Sequence, residues 1–386
     1  MNKNHLLYFL FLGLIISSCS NTRFLPEGEL LYIGAKVTVE GKDVSKKEKK
    51  ALKTALKEVL RPKPNSSILG LRPKLYIYNL AGTPKKEKGW RYWLRTKVGE
   101  APVLYSQVDL EYNKSVLQNF AENSGYFNTR TSADSTRNGK KTTAEYIVKP
   151  GKQYKIKEVK FPTDSSIIST AVRNTRRRSL LKEKEGYSLA VIKEERIRID
   201  ARLKEKGFFY FNPDYLKVQV DTTVADHQVD LIVKVKDEAP KLAETPYKIN
   251  KIIVYPNYSI GSDSVKTNLD SIKKYNDLTI IDKENLFKPR IFDRALYFKK
   301  NDLYNRSNHN LSLNRLVNLD TFKFVKNQFK VSDTTGNYLD AYYFLTPLPK
   351  KSIRLELLAK TNSANYTGTE LNLNWSNRNT DRKSVV

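Results

Sequence analysis

Four side chains are all that this sequence offers for thiol or imidazole chemistry: Cys19, His5, His227 and His309. A single cysteine can neither close a disulfide within the chain nor build a thiolate metal site. The histidines have no H-E-x-x-H spacing, and His227 and His309 read as surface residues at a hairpin tip and near a helix start. Gly139-Lys140 superficially suggests a phosphate loop. That pattern needs Gly at 134 and Ser or Thr at 141, where the chain has Asp134 and Lys141. No G-x-S-x-G elbow occurs. Carboxylates are plentiful, but none forms a distinctive spacing, so they read as solvated acids. The inventory leaves little for nucleophilic or metal catalysis and points to a protein that is not an enzyme, with no cofactor and no metal.

Charge is the next resource. The chain carries 69 basic and 41 acidic residues, a formal +28, which suits an anionic partner, although a solvated Lys-rich surface is the simpler reading. Arg176, Arg177 and Arg178 are candidates for contact with anionic lipid; as the last turn of a helix they are also favoured by the helix dipole. Trp90 and Trp93 flank Arg91, an arrangement suited to a membrane interface or to base stacking. The simpler expectation is that they pack an insertion onto its own domain. The run Phe208-Phe209-Tyr210-Phe211 reads as core under a sheet, and no nucleic-acid partner is expected.

The N-terminus is more specific. Lys3 precedes an eleven-residue apolar run, Leu6 to Ile16, which is too short to span a bilayer and right for a signal h-region. It ends in Ile16-Ser17-Ser18-Cys19, small residues directly before a cysteine, and so resembles a bacterial lipobox. The resemblance implies a signal peptide at 1–18, lipidation of Cys19 and a tether at 19–29. Several acyl chains at ~0.8 kcal/mol per buried methylene hold a protein stably on a membrane. Ser20 rather than Asp favours the outer membrane, by analogy.

Periodicity supplies the elements that must position everything else. Leu30 to Glu40 reads as a strand and 46–60 as a helix capped by Asp43 or Ser45. An insertion at 62–100 follows. Then come a helix capped by Asn113 and ending at Gly125, and strands 126–133 and 142–149 joined across Asn138-Gly139. The second set is strand 154–161, helix 164–178, a helix from Ser188 to Gly207, and two strands. In the first of these Leu216, Val218 and Val220 alternate with polar residues; in the second Leu231, Val233 and Val235 recur at the same period. Arg196 interrupts the apolar stripe of that second helix. The third set is strand 247–255, helical pieces around 263–275 and 291–299, a helix capped by Ser307, and strands 322–332 and 338–345. Strand, helix, helix, strand, strand thus recurs three times. The fold class is α+β in tandem units, with domains at 30–151 (insertion 62–100), 152–239 and 246–349.

In this order, and in the stretches FLPEGELL (24–31), RPKPNSSILGL (61–71), YNL (78–80) and GEAPVLY (99–105), the chain resembles the polypeptide-transport-associated (POTRA) domains of BamA/TamA-type outer-membrane assembly proteins, in the lipoprotein, TamL-like form of Bacteroidetes-type bacteria. The resemblance implies a periplasmic location under the outer membrane. The partners it implies are unfolded outer-membrane proteins, outer-membrane lipid and a TamB-like inner-membrane protein. It also implies that the first hairpin strand of each unit, at 126–133, 214–221 and 322–332, is a free edge that takes a client segment as an added strand. Leu216, Val218 and Val220 are then the client-binding positions. From 350 to 386 two strands alternate as barrel strands do: Ile353, Leu355 and Leu357, then Leu371, Leu373 and Trp375. The family continues into a sixteen-stranded barrel, so the sequence is expected to be a fragment or a truncated frame. The competing expectation is a basic lipoprotein that binds anionic glycolipid without any assembly role.

Overall fold

The structure is a computed structural model that describes residues 21–259, 272–332, 336–349, 351–361 and 367–377. The signal-peptide reading and Cys19 lie outside the described residues, as does most of the 263–275 segment read as helical. By internal contacts the chain forms two compact units. One runs up to Val159 and takes in Leu181–Ile192 and Val220–Leu231. The other comprises Lys160–Leu180, Lys193–Gln219 and the chain from Ile232 onward.

In the first unit, β1 (Leu31–Val39), α1 (Lys46–Val59), α2 (Pro73–Ala81), α3 (Leu110–Asn123), β2 (Arg130–Asn138) and β3 (Lys141–Lys149) follow in order. The sheet order is β1-β3-β2. β3 lies between a parallel partner, β1, and an antiparallel one, β2. The Asn138-Gly139 turn forms as its residues demand, with Gly139 at φ +59°. α1 starts on a capping box in which Ser45 Oγ accepts from Glu48 N and Glu48 Oε2 accepts from Ser45 N. Leu52 and Leu56 of α1 and Leu117 and Ala121 of α3 meet Tyr32, Val37, Ala144 and Val148 of the sheet in one buried cluster. Each fully buried leucine there contributes about 1.5–3 kcal/mol.

Asn113 does not cap α3. Asp109 does, its Oδ1 accepting from Tyr112 N at 2.8 Å. Asn113 is buried inside the helix and clasps both backbone groups of Arg61, donating to its carbonyl at 2.6 Å and accepting from its N–H at 3.2 Å. A cap-type side chain is here a brace between the end of α1 and the body of α3.

β4 (Lys155–Lys160), α4 (Ile167–Arg173), α5 (Leu189–Lys204), β5 (Leu216–Ala225) and β6 (Gln228–Val235) come next, with sheet order β4-β6-β5. Ser188 Oγ accepts from Val191 N at the head of α5. α4 is shorter than the 164–178 reading. It ends at Arg173, and Arg176–Arg178 form a separate 3-10 turn.

In the second unit, β7 (Lys248–Tyr255), β8 (Ile272–Tyr275), β9 (Leu278–Ile281), α6 (Pro289–Ala295), α7 (Arg306–Val317), β10 (Phe322–Val331) and β11 (Tyr338–Pro347) build a sheet of order β10-β11-β7-β9-β8. Residues 272–275, read as helical, are therefore strand. α7 is capped by Asn305 rather than Ser307, Asn305 Oδ1 accepting from Asn308 N at 2.7 Å. Ile249, Ile252, Val254, Phe292, Leu316, Leu339, Tyr343 and Leu345 form a buried cluster separate from that of the first sheet.

Two joints are built alike, one inside each unit. Gly125 follows α3 with φ +86°, and Gly207 follows α5 with φ +94°. Gly125 O accepts from Tyr154 N at 2.9 Å, and Tyr154 O accepts from Tyr187 N at 2.8 Å. In the other unit Gly207 O accepts from Tyr247 N, and Tyr247 O from Tyr304 N, both at 2.9 Å. A phenylalanine stands two residues after each glycine. Phe127 packs on Tyr154 and Tyr187, and Phe209 packs on Tyr304. The aromatic run is thus divided in its duties. Phe208 and Phe211 are buried, while Phe209 and Tyr210 pack against the core cluster of the β7 sheet.

Candidate functional site

The feature common to the three main sheets is the strand left at the end. β2, β5 and β10 each begin a hairpin, and each is terminal in its sheet order. A terminal strand presents a row of backbone N–H and C=O groups to the outside, which can pair with another extended segment. The other end is treated differently. β1 is covered at its start by the chain after the insertion, where Tyr32 N donates to Val103 O and Tyr105 N to Leu30 O. β7 is covered by β9 and β8.

The three edges differ in side chains. β10 carries exposed Lys323, Lys326 and Lys330, and lysines discourage strand addition. β2 is polar apart from Ala133, with Arg130, Asp134 and Arg137 exposed. β5 has one apolar face, with Leu216 buried and Val218 and Val220 half-buried, and an exposed face of Lys217, Gln219 and Thr223. One anchored face fixes the register of a strand. β5 is therefore the edge best held in place and least guarded by cations. The side chains of Leu216, Val218 and Val220 turn toward their own module, so the strand presents its backbone and the Lys217–Gln219 face.

Of the three arginines read as lipid contacts, Arg177 and Arg178 line a cleft, together with Arg198, Arg202 and Lys206 of α5 and the residues just after it; Arg176 is exposed but does not line it. The sequence reading missed the second set. Its signal is the spacing 198, 202, 206, one helical stripe of cations. The acids read as solvated include five that are buried among the described residues, Glu195, Asp200, Asp230, Asp282 and Asp340, and two of these lie on α5. Glu195 is fully buried, its carboxylate accepting from Ser179 Oγ at 2.8 Å, from Leu180 N at 2.9 Å and from Arg198 Nε at 2.7 Å. Burial pushes the Glu195 carboxyl up; Arg198, the Leu180 amide and the Ser179 hydroxyl together outweigh it and hold the group below its usual range. This knot ties the chain just after the Arg176–Arg178 turn to α5. Asp200, also buried, meets Lys204 at 2.9 Å and Arg306 at 3.7 Å; burial dominates there and raises its pKa. Arg196 leaves the apolar stripe altogether, reaching Pro213 O and Asp214 Oδ1 at 2.9 and 2.8 Å.

The tryptophans do not pack back onto their domain. Trp90 is 68% and Trp93 56% exposed. Arg95 anchors this segment by donating to Gly82 O and Tyr78 Oη and stacking on the Tyr78 ring, which leaves the indoles outside. His309 is not a surface residue. It is half-buried beside Tyr304 Oη at 3.2 Å, and burial, followed by the Arg306 charge, lowers its pKa.

β12 (Lys351–Thr361) and β13 (Thr367–Asn377) form a two-stranded sheet of their own. Ile353 pairs with Trp375, Leu355 with Leu373 and Leu357 with Leu371, and all six side chains are exposed. One face of this ribbon is therefore bare apolar surface. Among the described residues no helix is long and apolar enough to cross a membrane.

No family model matches the chain, and no curated protein matches it. Solved structures are similar to it at low identity. The BamA POTRA3-5 fragment of Haemophilus influenzae is 14% identical, with 84% of this chain and 99% of that chain covered and a TM-score of 0.39. BamA of Haemophilus ducreyi lacking POTRA domains 1–3 is 15% identical over 54% of this chain, which spans 32% of that one, with a TM-score of 0.34. POTRA1-3 of Omp85 from Anabaena is 14% identical over 84% of this chain and 98% of that chain, with a TM-score of 0.26. What the chain's own geometry defines is a class: tandem β-α-α-β-β modules, each closing its sheet on one side and leaving a hairpin strand at the other.

Proposed function

We propose that this chain is a lipid-anchored, periplasm-facing protein of the outer membrane, of the BamA/TamA type, with POTRA-like modules at 30–151, 152–239 and 246–349. Its modules hold unfolded outer-membrane proteins by strand addition on the way to insertion. The observation that carries the reading is the recurrence of β2, β5 and β10 at the ends of their sheets. Strand addition recognises main chain, so one edge serves clients of many sequences. β5, with Leu216, Val218 and Val220 as its inward anchors, is the principal edge. Cys19 carries the lipid. The bare apolar face of β12 and β13 is the beginning of a membrane wall, since alternating apolar and polar positions on antiparallel strands suit a lipid-facing barrel surface. A TamB-like inner-membrane protein is the expected neighbour on the periplasmic side.

A photo-crosslinking residue at Gln219, exposed on β5, is expected to capture unfolded outer-membrane proteins in cells. The same residue at Lys193, exposed on α5, is not. Equal capture from both positions, or none from Gln219, removes the reading.

A further inference from the structure

The cleft lined by Arg177, Arg178, Arg202 and Lys206 has chemistry that strand addition does not use. Its volume is about 570 Å³, within the ~300–1,000 Å³ range of small-molecule sites. Its cations come from two pieces of chain, the 3-10 turn Arg176–Arg178 and the end of α5, which the buried Glu195–Arg198 pair holds together. Arg198 is spent on that pair. Arg177, Arg178, Arg202 and Lys206 are exposed and make no ion pair or side-chain hydrogen bond with a described residue. Among the described residues that line the cleft Glu205 is the one acid, so these side chains together carry a net positive charge.

The other wall is apolar. Ile167 and Ala171 of α4 face the same space as Phe208, Pro246 and Leu303. Ile167 is 67% exposed and Leu303 41%. A free inorganic anion gains nothing from these side chains, and a purely apolar molecule gains nothing from four unpaired cations. A ligand that uses both walls has an anionic group at one end and hydrocarbon at the other.

We propose that this cleft binds a phosphate-bearing amphiphile, its anionic headgroup held by Arg177, Arg178, Arg202 and Lys206 and the start of its alkyl part against Ile167, Phe208 and Leu303. Guanidinium groups suit the headgroup because their planar forks match phosphate oxygens. The cleft and the β5 edge are separate features, so this proposal stands or falls independently of client binding.

The test is calorimetric titration of the protein with monomeric dihexanoyl phosphatidic acid, dihexanoyl phosphatidylcholine and inorganic phosphate. Phosphatidic acid is expected to bind at least tenfold more tightly than either of the others. The double variant Arg178→Gln, Arg202→Gln is expected to weaken it at least tenfold, and Ile167→Ser severalfold. All three side chains are exposed, so the far-ultraviolet circular dichroism of both variants is expected to match the parent. Equal affinity for inorganic phosphate would reduce the cleft to a simple anion site and overturn the proposal. So would equal affinity for phosphatidylcholine, an unchanged affinity in the double variant, or no binding of phosphatidic acid.

Discussion

Glu195→Ala is expected to lower stability by about 3–5 kcal/mol, the usual loss when one partner of a buried ion pair is removed and the other is left behind. Three groups lose their acceptor at once: the Ser179 hydroxyl, the Leu180 amide and the Arg198 guanidinium. Arg198 would retain only Thr175, whose carbonyl and hydroxyl it reaches at 3.2 and 3.3 Å. Urea unfolding at pH 7 measures the loss. The pH dependence follows from the lowered carboxyl pKa. A group whose folded pKa lies below its unfolded value stabilises fully above the unfolded value and loses that contribution as pH falls through the folded one. The gap between the parent and Glu195→Gln is therefore expected to be widest near neutrality and to narrow on acidification below the ordinary glutamate value of 4.5. A gap that stays constant down to pH 3 would mean that the carboxylate charge contributes nothing.

Gly125→Ala is the second large effect, at roughly 2–5 kcal/mol. Part of it is the left-handed backbone at φ +86°, which costs a residue with a Cβ about 1–2 kcal/mol. The rest is contact: the new Cβ would lie 2.8 Å from Tyr187 O, a backbone atom that cannot swing aside. Relief of such overlap costs about 1–3 kcal/mol more. Gly139→Ala is the control. It has φ +59° and nothing within 4 Å, so only the backbone part, about 1 kcal/mol, is expected. Gly207→Ala falls between the two, because its nearest neighbour, Leu303 Cδ1 at 2.8 Å, is the tip of a flexible side chain. Denaturant midpoints of the three variants give the order directly. If Gly125→Ala and Gly139→Ala cost the same, Gly125 is a turn residue and not a joint.

The helices and strands were largely legible because their signals are local. Ser45 with Glu48, Ser188 with Val191 and the Asn138-Gly139 turn behave as short-range chemistry dictates. What the sequence concealed depends on partners far along the chain. Asn113 has the side chain of a cap, and nothing near it reveals that Arg61 is waiting for it. Glu195 has the look of any helix-surface acid until the turn at 175–180 folds over it. Arg196 reads as a flaw in an apolar stripe, and it is explained only by Pro213 and Asp214. The cationic cleft was half visible, as Arg176–Arg178. Its other half lies in the 198, 202, 206 spacing of α5 and the turn that follows it, which a search for apolar periodicity passes over. The edge strands were legible only through the resemblance to POTRA domains, since neither alternation nor repeat order can say which strand of a hairpin is terminal.

Amide hydrogen exchange of the full chain, with and without an extended peptide taken from an outer-membrane barrel strand, addresses strand addition most directly. An added strand engages every second backbone N–H of an edge. The expected result is new protection at alternate amides of β5 between Leu216 and Val224, with β6 unchanged. Protection spread evenly over consecutive β5 amides, or confined to helices, or absent at peptide concentrations that bind, would contradict it.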